Sequence, residues 1–191
     1  MKHRVMLPQS RPAQHAGLSL IELMVTLAIT AVVLGIAVPS MYDMIARRRV
    51  AAVAAELASD LRYLNSTGLQ NNASSQLDIA SNCYVMSLNP TGDTCDCNLP
   101  QPCGTGAMAS QILKSVTVPA NAGITLTFNR ANTVFNWQGL LDPRRPTPLA
   151  VTVSSTNGGK VKVYTTGAIA RPYACSLEHQ ETSFPACVSA P

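Results

Sequence analysis

The sequence predicts an α+β protein: one long N-terminal α-helix, a membrane half followed by an amphipathic half, packed on an antiparallel β-sheet domain. Three observations carry that prediction. From Leu18 to Val38 the chain holds twenty-one residues and a single charge, Glu22. From Met44 to Leu64 apolar residues recur at spacings of mainly three and four. From about residue 79 onward the chain breaks into short runs rich in Thr, Val and aromatic residues, separated by Pro, Gly and Asn.

As a helix, residues 18–38 span about 31 Å at ~1.5 Å per residue, against a hydrocarbon core of about 30 Å. A cleaved secretory signal has an apolar stretch of only roughly 7–15 residues; this one is longer and carries an acid near its start. Lys2, Arg4 and Arg11 precede it, which keeps the N-terminus cytoplasmic and sends the rest outward by the positive-inside rule. Arg47, Arg48 and Arg49 oppose that rule from a position nine residues past Val38. An acid within an inserted helix costs about 2.5–3.5 kcal/mol, and the helix N-terminus offsets only roughly 0.3–1 kcal/mol of it. Glu22 therefore calls for a cationic partner, and no Lys or Arg lies within one helical turn of it.

Gly17-Leu18-Ser19-Leu20-Ile21-Glu22-Leu23, behind a short basic leader, resembles the type IV prepilin motif. The resemblance implies cleavage between Gly17 and Leu18 by a prepilin peptidase and N-methylation of Leu18. It also makes Glu22 the fifth residue of the mature chain, paired with the freed amine of a neighbouring subunit. Mature chains of this family usually begin with Phe or Met, so Leu18 is a mild departure. The expected organisation is a cleaved leader at 1–17, a transmembrane helix at 18–45 and a periplasmic pilin-like domain at 46–191.

Pro39 has no N–H to offer the Gly35 carbonyl, and Gly35 adds backbone freedom. A kink near Pro39 follows, and a Pro at this depth is also a feature of pilin-like helices. The helical pattern then resumes through Met44, Ile45, Val50, Val53, Leu57, Leu61 and Leu64, with Ala51, Ala52, Ala54 and Ala55 as strong helix formers. Asn65, Gly68, Asn71 and Asn72 are stop signals that end the helix at about 66. Consecutive residues of a helix point about 100° apart, so Arg47, Arg48 and Arg49 form a solvated collar rather than one narrow stripe. Contact with anionic headgroups, at about 1 kcal/mol per basic residue, or with a neighbouring subunit is the alternative.

The expected strands are 82–88, 111–118, 122–128, 132–137, 148–154 and 160–166. Val161, Val163 and Thr165 alternate with Lys160, Lys162 and Tyr164, the period of a strand with one face on a core. Asn157-Gly158-Gly159 reads as the hairpin turn between the last two. The stretch 89–108 is the least structured by composition. Helix first and antiparallel sheet after, the chain resembles the minor pseudopilins of the FimT and GspH group. Pro39-Ser40, Val50 to Arg62, Ile124 to Gly139 and the hairpin ending at Gly167 carry that resemblance.

Cys83, Cys95, Cys97, Cys103, Cys175 and Cys187 all follow the membrane segment. An even number in an exported domain points to three disulfides. Cys175–Cys187 closes a short loop and pins the C-terminal tail, worth about 3 kcal/mol in the chain-entropy model. Cys95 and Cys97 are too close to pair with each other, so each joins Cys83 or Cys103. Four thiolates on a metal are the rival, but Cys-x-Cys misses the usual Cys-x₂₋₄-Cys knuckle, and an oxidising compartment favours disulfides.

Composition excludes several functions. Charged residues are 13% against 47% hydrophobic, too apolar for a disordered or strongly charged tail protein. The net charge of +4 falls to +1 once Lys2, Arg4 and Arg11 are set aside, so bulk capture of nucleic acid is not indicated. His179 is the one imidazole beyond the membrane segment, which leaves little for a His-dependent nucleophile. Gly104-Thr105-Gly106 lacks the Gly and Lys of a phosphate loop. The chain is therefore read as a structural subunit, not an enzyme, with no cofactor and no metal. By resemblance its partners are other pilins or pseudopilins, a prepilin peptidase, an inner-membrane assembly platform and inner-membrane lipid.

A second reading is DNA binding. Some FimT-like proteins do so through a Gly-Arg-x-Arg motif after the last hairpin. Here that place reads Gly167-Ala168-Ile169-Ala170-Arg171, and only Lys160, Lys162 and Arg171 remain as weak phosphate contacts. A third reading, an anchored receptor, would use Trp137, Tyr164 and Tyr173 to line a groove.

Overall fold

The computed structural model describes residues 19–90, 94–103, 111–119, 123–142, 148–166, 171–178 and 183–187. By its internal contacts the chain divides between Ser40 and Met41 into two units. One helix, α1 (Leu20–Asn71), begins in the first and ends in the second. The strands are β1 (Ser75–Ile79), β2 (Cys83–Leu88), β3 (Gln111–Thr117), β4 (Ile124–Phe128), β5 (Asn132–Phe135), β6 (Ala150–Ser155), β7 (Lys160–Thr166) and β8 (Arg171–Ser176).

In the first unit the α1 side chains from Leu20 to Val38 are exposed. The helix crosses Gly35 and Pro39 without interruption. The hydroxyls of this stretch are satisfied within the helix: Thr26 Oγ1 donates to Leu23 O at 2.9 Å, and Thr30 Oγ1 to Thr26 O at 2.6 Å. A helix in lipid needs that closure, because no water is there to take the bonds.

In the second unit α1 turns amphipathic. Val50, Ala54, Leu57, Ala58, Leu61 and Leu64 form one buried stripe, the 3.6-residue period of a helix with one face on a core. Two antiparallel sheets receive it, ordered β3-β2-β1-β5 and β4-β6-β7-β8. Leu77, Ile79, Tyr84, Met86 and Phe135 of the first sheet and Leu126, Val151, Val153, Val161 and Val163 of the second join the stripe in a single cluster.

The helix ends at Asn71, five residues past the expected point. Ser66 and Thr67 turn their hydroxyls back to Tyr63 O, and Asn71 Nδ2 bonds Thr67 O, so Asn65 and Gly68 do not stop the helix, while Asn71 and Asn72 mark its end as expected. The true stop is a Schellman cap. Asn72 takes φ 49°, its N–H donates to Leu69 O at 3.3 Å, and Ala73 N–H donates to Gly68 O at 3.0 Å. Gly68 serves close packing instead: a Cβ there would meet Ala73 O at 3.1 Å and Ser75 Oγ at 3.2 Å.

Two strands escaped the sequence reading. β1 is buried along its whole length, although Gln76, Leu77, Asp78 and Ile79 alternate polar and apolar in the sequence, the period of a strand with one face on a core. Leu77 and Ile79 join the core that packs on α1, while Gln76 and Asp78 lie on the other face, Asp78 lining a cavity with Cys95, Asp96 and Cys97. β8 contains Pro172, which a strand tolerates at a sheet edge, and β8 is the edge of its sheet. The predicted hairpin at 157–159 joins β6 to β7, with Gly158 at φ 102° and Gly159 at φ 92°. β5 stops at Phe135 because Asn136 Oδ1 accepts from the N–H groups of Gln138 and Leu140, which turns the chain.

Candidate functional site

The first candidate is the start of α1. Ser19 caps it: its carbonyl accepts from Glu22 and Leu23, at 3.1 and 3.2 Å, and its Oγ accepts from Glu22 N–H at 3.3 Å. Ser19 to Glu22 is the Ser-x-x-Glu spacing of a capping box, a local signal that the sequence carries. Glu22 stands in the first turn, where the helix dipole favours an anion. Its side chain is exposed, and no ion pair reaches it among the described residues. It stands in a helix whose most apolar window has a mean hydropathy of 2.4, long and apolar enough to cross a membrane. Gly17 and Leu18 lie outside the described residues.

Arg47, Arg48 and Arg49 do not form a uniform collar. Arg48 and Arg49 are exposed, whereas Arg47 is partly buried. A Cβ on Gly158 would stand 3.7 Å from Arg47 Nε, so Arg47 lies against the β6–β7 turn and its Nε is buried without a hydrogen bond.

The three cations of the DNA reading share one sheet face. Lys160, Lys162, Tyr164 and Thr166 alternate on β7, and the register sets Tyr173 beside Tyr164 and Arg171 beside Thr166. Two of the cations are already engaged. Lys160 Nζ lies 3.4 Å from Glu178 Oε1, whose other oxygen accepts from Gly159 N–H at 3.2 Å. Lys162 Nζ sits 5.9 Å from the Tyr164 ring centre, and Tyr164 stacks on Tyr173 at 6.0 Å. Gly167 to Ala170 lie outside the described residues. Trp137 stands 55% exposed on the turn after β5. The cavities described, of about 250 and 310 Å³, are lined by other residues than these three aromatics.

The cysteines form Cys83–Cys97, Cys95–Cys103 and Cys175–Cys187. The first two gather Cys83, Val85, Cys95 and Cys97 into a small core of their own, with Ala80 and Cys103 against it. That core roofs Asp78, whose carboxylate accepts from Gln76 Nε2 at 2.7 Å and Asn132 Nδ2 at 2.6 Å. Burial raises the Asp78 pKa above the ordinary carboxylate value, against the opposing pull of these bonds and of the Cys95 backbone. Among the described residues no group of three or more His, Cys, Asp or Glu could hold a metal ion.

A polar network missed from sequence ties α1 to the first sheet. Asp60 Oδ2 accepts from Tyr84 OH at 2.7 Å and from Lys114 Nζ at 2.7 Å, and Lys114 also reaches Glu56 at 2.8 Å. Burial first, then Asp60, pushes the Tyr84 phenol well above its usual range. The bonds to Asp60 and Glu56 raise Lys114. Residues 54 to 58 positions apart carry no local signal of such pairing.

The family model described as the prokaryotic N-terminal methylation motif matches residues 13–38. No curated protein matches the chain in sequence. Among solved structures the chain is similar to the type IV minor pilin FimU of Pseudomonas aeruginosa (strain PAO1) in two crystal forms. In space group P21 the identity is 16% and the TM-score 0.46, covering 64% of this chain and 86% of that one. In space group P65 they are 13% and 0.44, covering 64% and 90%.

Proposed function

We propose that this type IV pilin-like chain is a minor pilin or pseudopilin, a structural subunit of a type IV pilus or of a type II secretion pseudopilus. A prepilin peptidase cuts it between Gly17 and Leu18, and Leu18 is methylated. The apolar half of α1 anchors it in the inner membrane with the sheet domain in the periplasm, until an assembly platform draws it into a helical array of pilins.

Glu22 carries this reading. It is one acid in a run long and apolar enough to cross a membrane, inside the segment that the methylation motif matches, with no cation paired to it among the described residues. An acid so placed costs about 2.5–3.5 kcal/mol. Cleavage after Gly17 creates an α-amine on every copy, and the amine of an adjacent subunit supplies the missing charge and sets the register between helices. The test is mass spectrometry of membrane-extracted protein together with Glu22→Ala. A mature chain starting at methylated Leu18, and a variant that is processed and inserted but fails to co-purify with other pilins, are expected. A chain that keeps Met1, or a variant that assembles normally, overturns the reading.

The alternative, a DNA-binding minor pilin for uptake, draws support from the shared face of Lys160, Lys162 and Arg171. It is weakened by Glu178, which neutralises Lys160.

A further inference from the structure

The disulfides of the first sheet are crossed. In chain order the cysteines are 83, 95, 97 and 103, yet the bonds are Cys83–Cys97 and Cys95–Cys103, closing 14 and 8 residues. The consecutive pairs, Cys83–Cys95 and Cys97–Cys103, close 12 and 6. Closure probability falls as roughly the 3/2 power of loop length, so the unfolded chain favours the consecutive set about twofold. Chain statistics therefore do not select the native pairs; the folded sheet does. Cys83 opens β2 and is fully buried, and Asp78 takes a backbone hydrogen bond from Cys95. Those positions exist only once β1 and β2 have paired.

We propose that this chain is a substrate of a thiol–disulfide isomerase, which converts consecutive pairs to the crossed ones by entering at Cys103. The inference rests on the exported location in the proposed function, where a disulfide-donating oxidant pairs thiols as they meet. In the crossed form Cys83, Cys95 and Cys97 are buried and Cys103 alone of the four is partly exposed, so Cys103 is the cysteine nearest solvent and the point of entry. The isomerase thiolate attacks Cys103 Sγ and breaks Cys97–Cys103, leaving a mixed disulfide and a Cys97 thiolate. Cys97 attacks Cys83 Sγ, forming Cys83–Cys97 and releasing the Cys95 thiolate. Cys95 attacks Cys103 Sγ in the mixed disulfide, forming Cys95–Cys103 and returning the isomerase thiolate. Two bonds break and two form within the chain, with no net oxidation. In the folded form the four cysteines share one small cluster, so once β1 and β2 pair, the crossed partners lie a short move apart.

The test uses the full chain in detergent, reduced and denatured, then oxidised with diamide during dilution of the denaturant. Proteolysis before Asp93 and Asp96 separates Cys83, Cys95 and Cys97, and mass mapping without reductant reads the pairs. Consecutive pairs are expected in at least half of the molecules, converting to crossed pairs when a purified bacterial disulfide isomerase is added. The double variant Cys83→Ser with Cys97→Ser should form Cys95–Cys103 with diamide alone. Crossed pairs in more than nine-tenths of molecules before any isomerase is added, or conversion by reduced glutathione as fast as by the enzyme, would overturn the proposal. Cleavage at Gly17 plays no part in this readout, so a failure here is separate from a failure of the pilin assignment.

Discussion

Tyr84 donates its phenolic hydrogen to Asp60 Oδ2 at 2.7 Å, joining β2 to α1 with both residues buried. Lys114 holds the same carboxylate from β3. The folded state therefore keeps the protons of Tyr84 and Lys114 more tightly than the unfolded chain does. Unfolding above pH 10 releases them, so stability falls as pH rises through that range. Tyr84→Phe should lose about 1–2 kcal/mol at neutral pH and flatten the alkaline fall. Denaturant titrations from pH 7 to 11 check both, and an unchanged alkaline slope would count against this bond as its source.

Gly139 takes φ 72°, and a Cβ there would collide with Asn65 Oδ1 on α1. Gly139→Ala should cost about 1–3 kcal/mol, from left-handed backbone strain plus the clash. Adding Asn65→Ala should recover the clash but not the strain. Thermal melts of the single and double variants separate the two.

Asn72 sits at the left-handed position of the helix cap. Asn72→Gly should be neutral or stabilising, whereas Asn72→Val should cost at least about 1 kcal/mol. Equal stabilities of the two variants would show that the cap does not hold the helix end.

Cys175–Cys187 closes a loop of 12 residues and fastens the tail, where Cys187 N–H bonds Ser176 O at 2.8 Å. Replacing both cysteines by Ser should cost about 3 kcal/mol in the chain-entropy model. Urea unfolding measures the loss, and proteolysis should begin within the tail.

With Lys160 on Glu178 and Lys162 on Tyr164, the basic face offers few free charges to phosphate. A gel shift of the chain in detergent should show no salt-dependent retardation of duplex DNA at physiological ionic strength. Retention that disappears with Lys162→Ala and Arg171→Ala would instead establish the DNA reading.

The sequence by itself determined the apolar helix, the lone Glu22, six of the strands and the β6–β7 turn. Each depends on neighbours close along the chain, through helical or alternating periodicity or the φ that a glycine allows. Tertiary structure decided the rest. The burial of both faces of β1 is one such outcome: residues 76–79 alternate polar and apolar, yet the polar face is buried too, Asp78 lying against Cys95, Asp96 and Cys97. The cysteine pairs were chosen where loop lengths barely differ, and Asp60 met Tyr84 and Lys114 only through sheet pairing. Such contacts join residues far apart in sequence, and local chemistry holds no record of them.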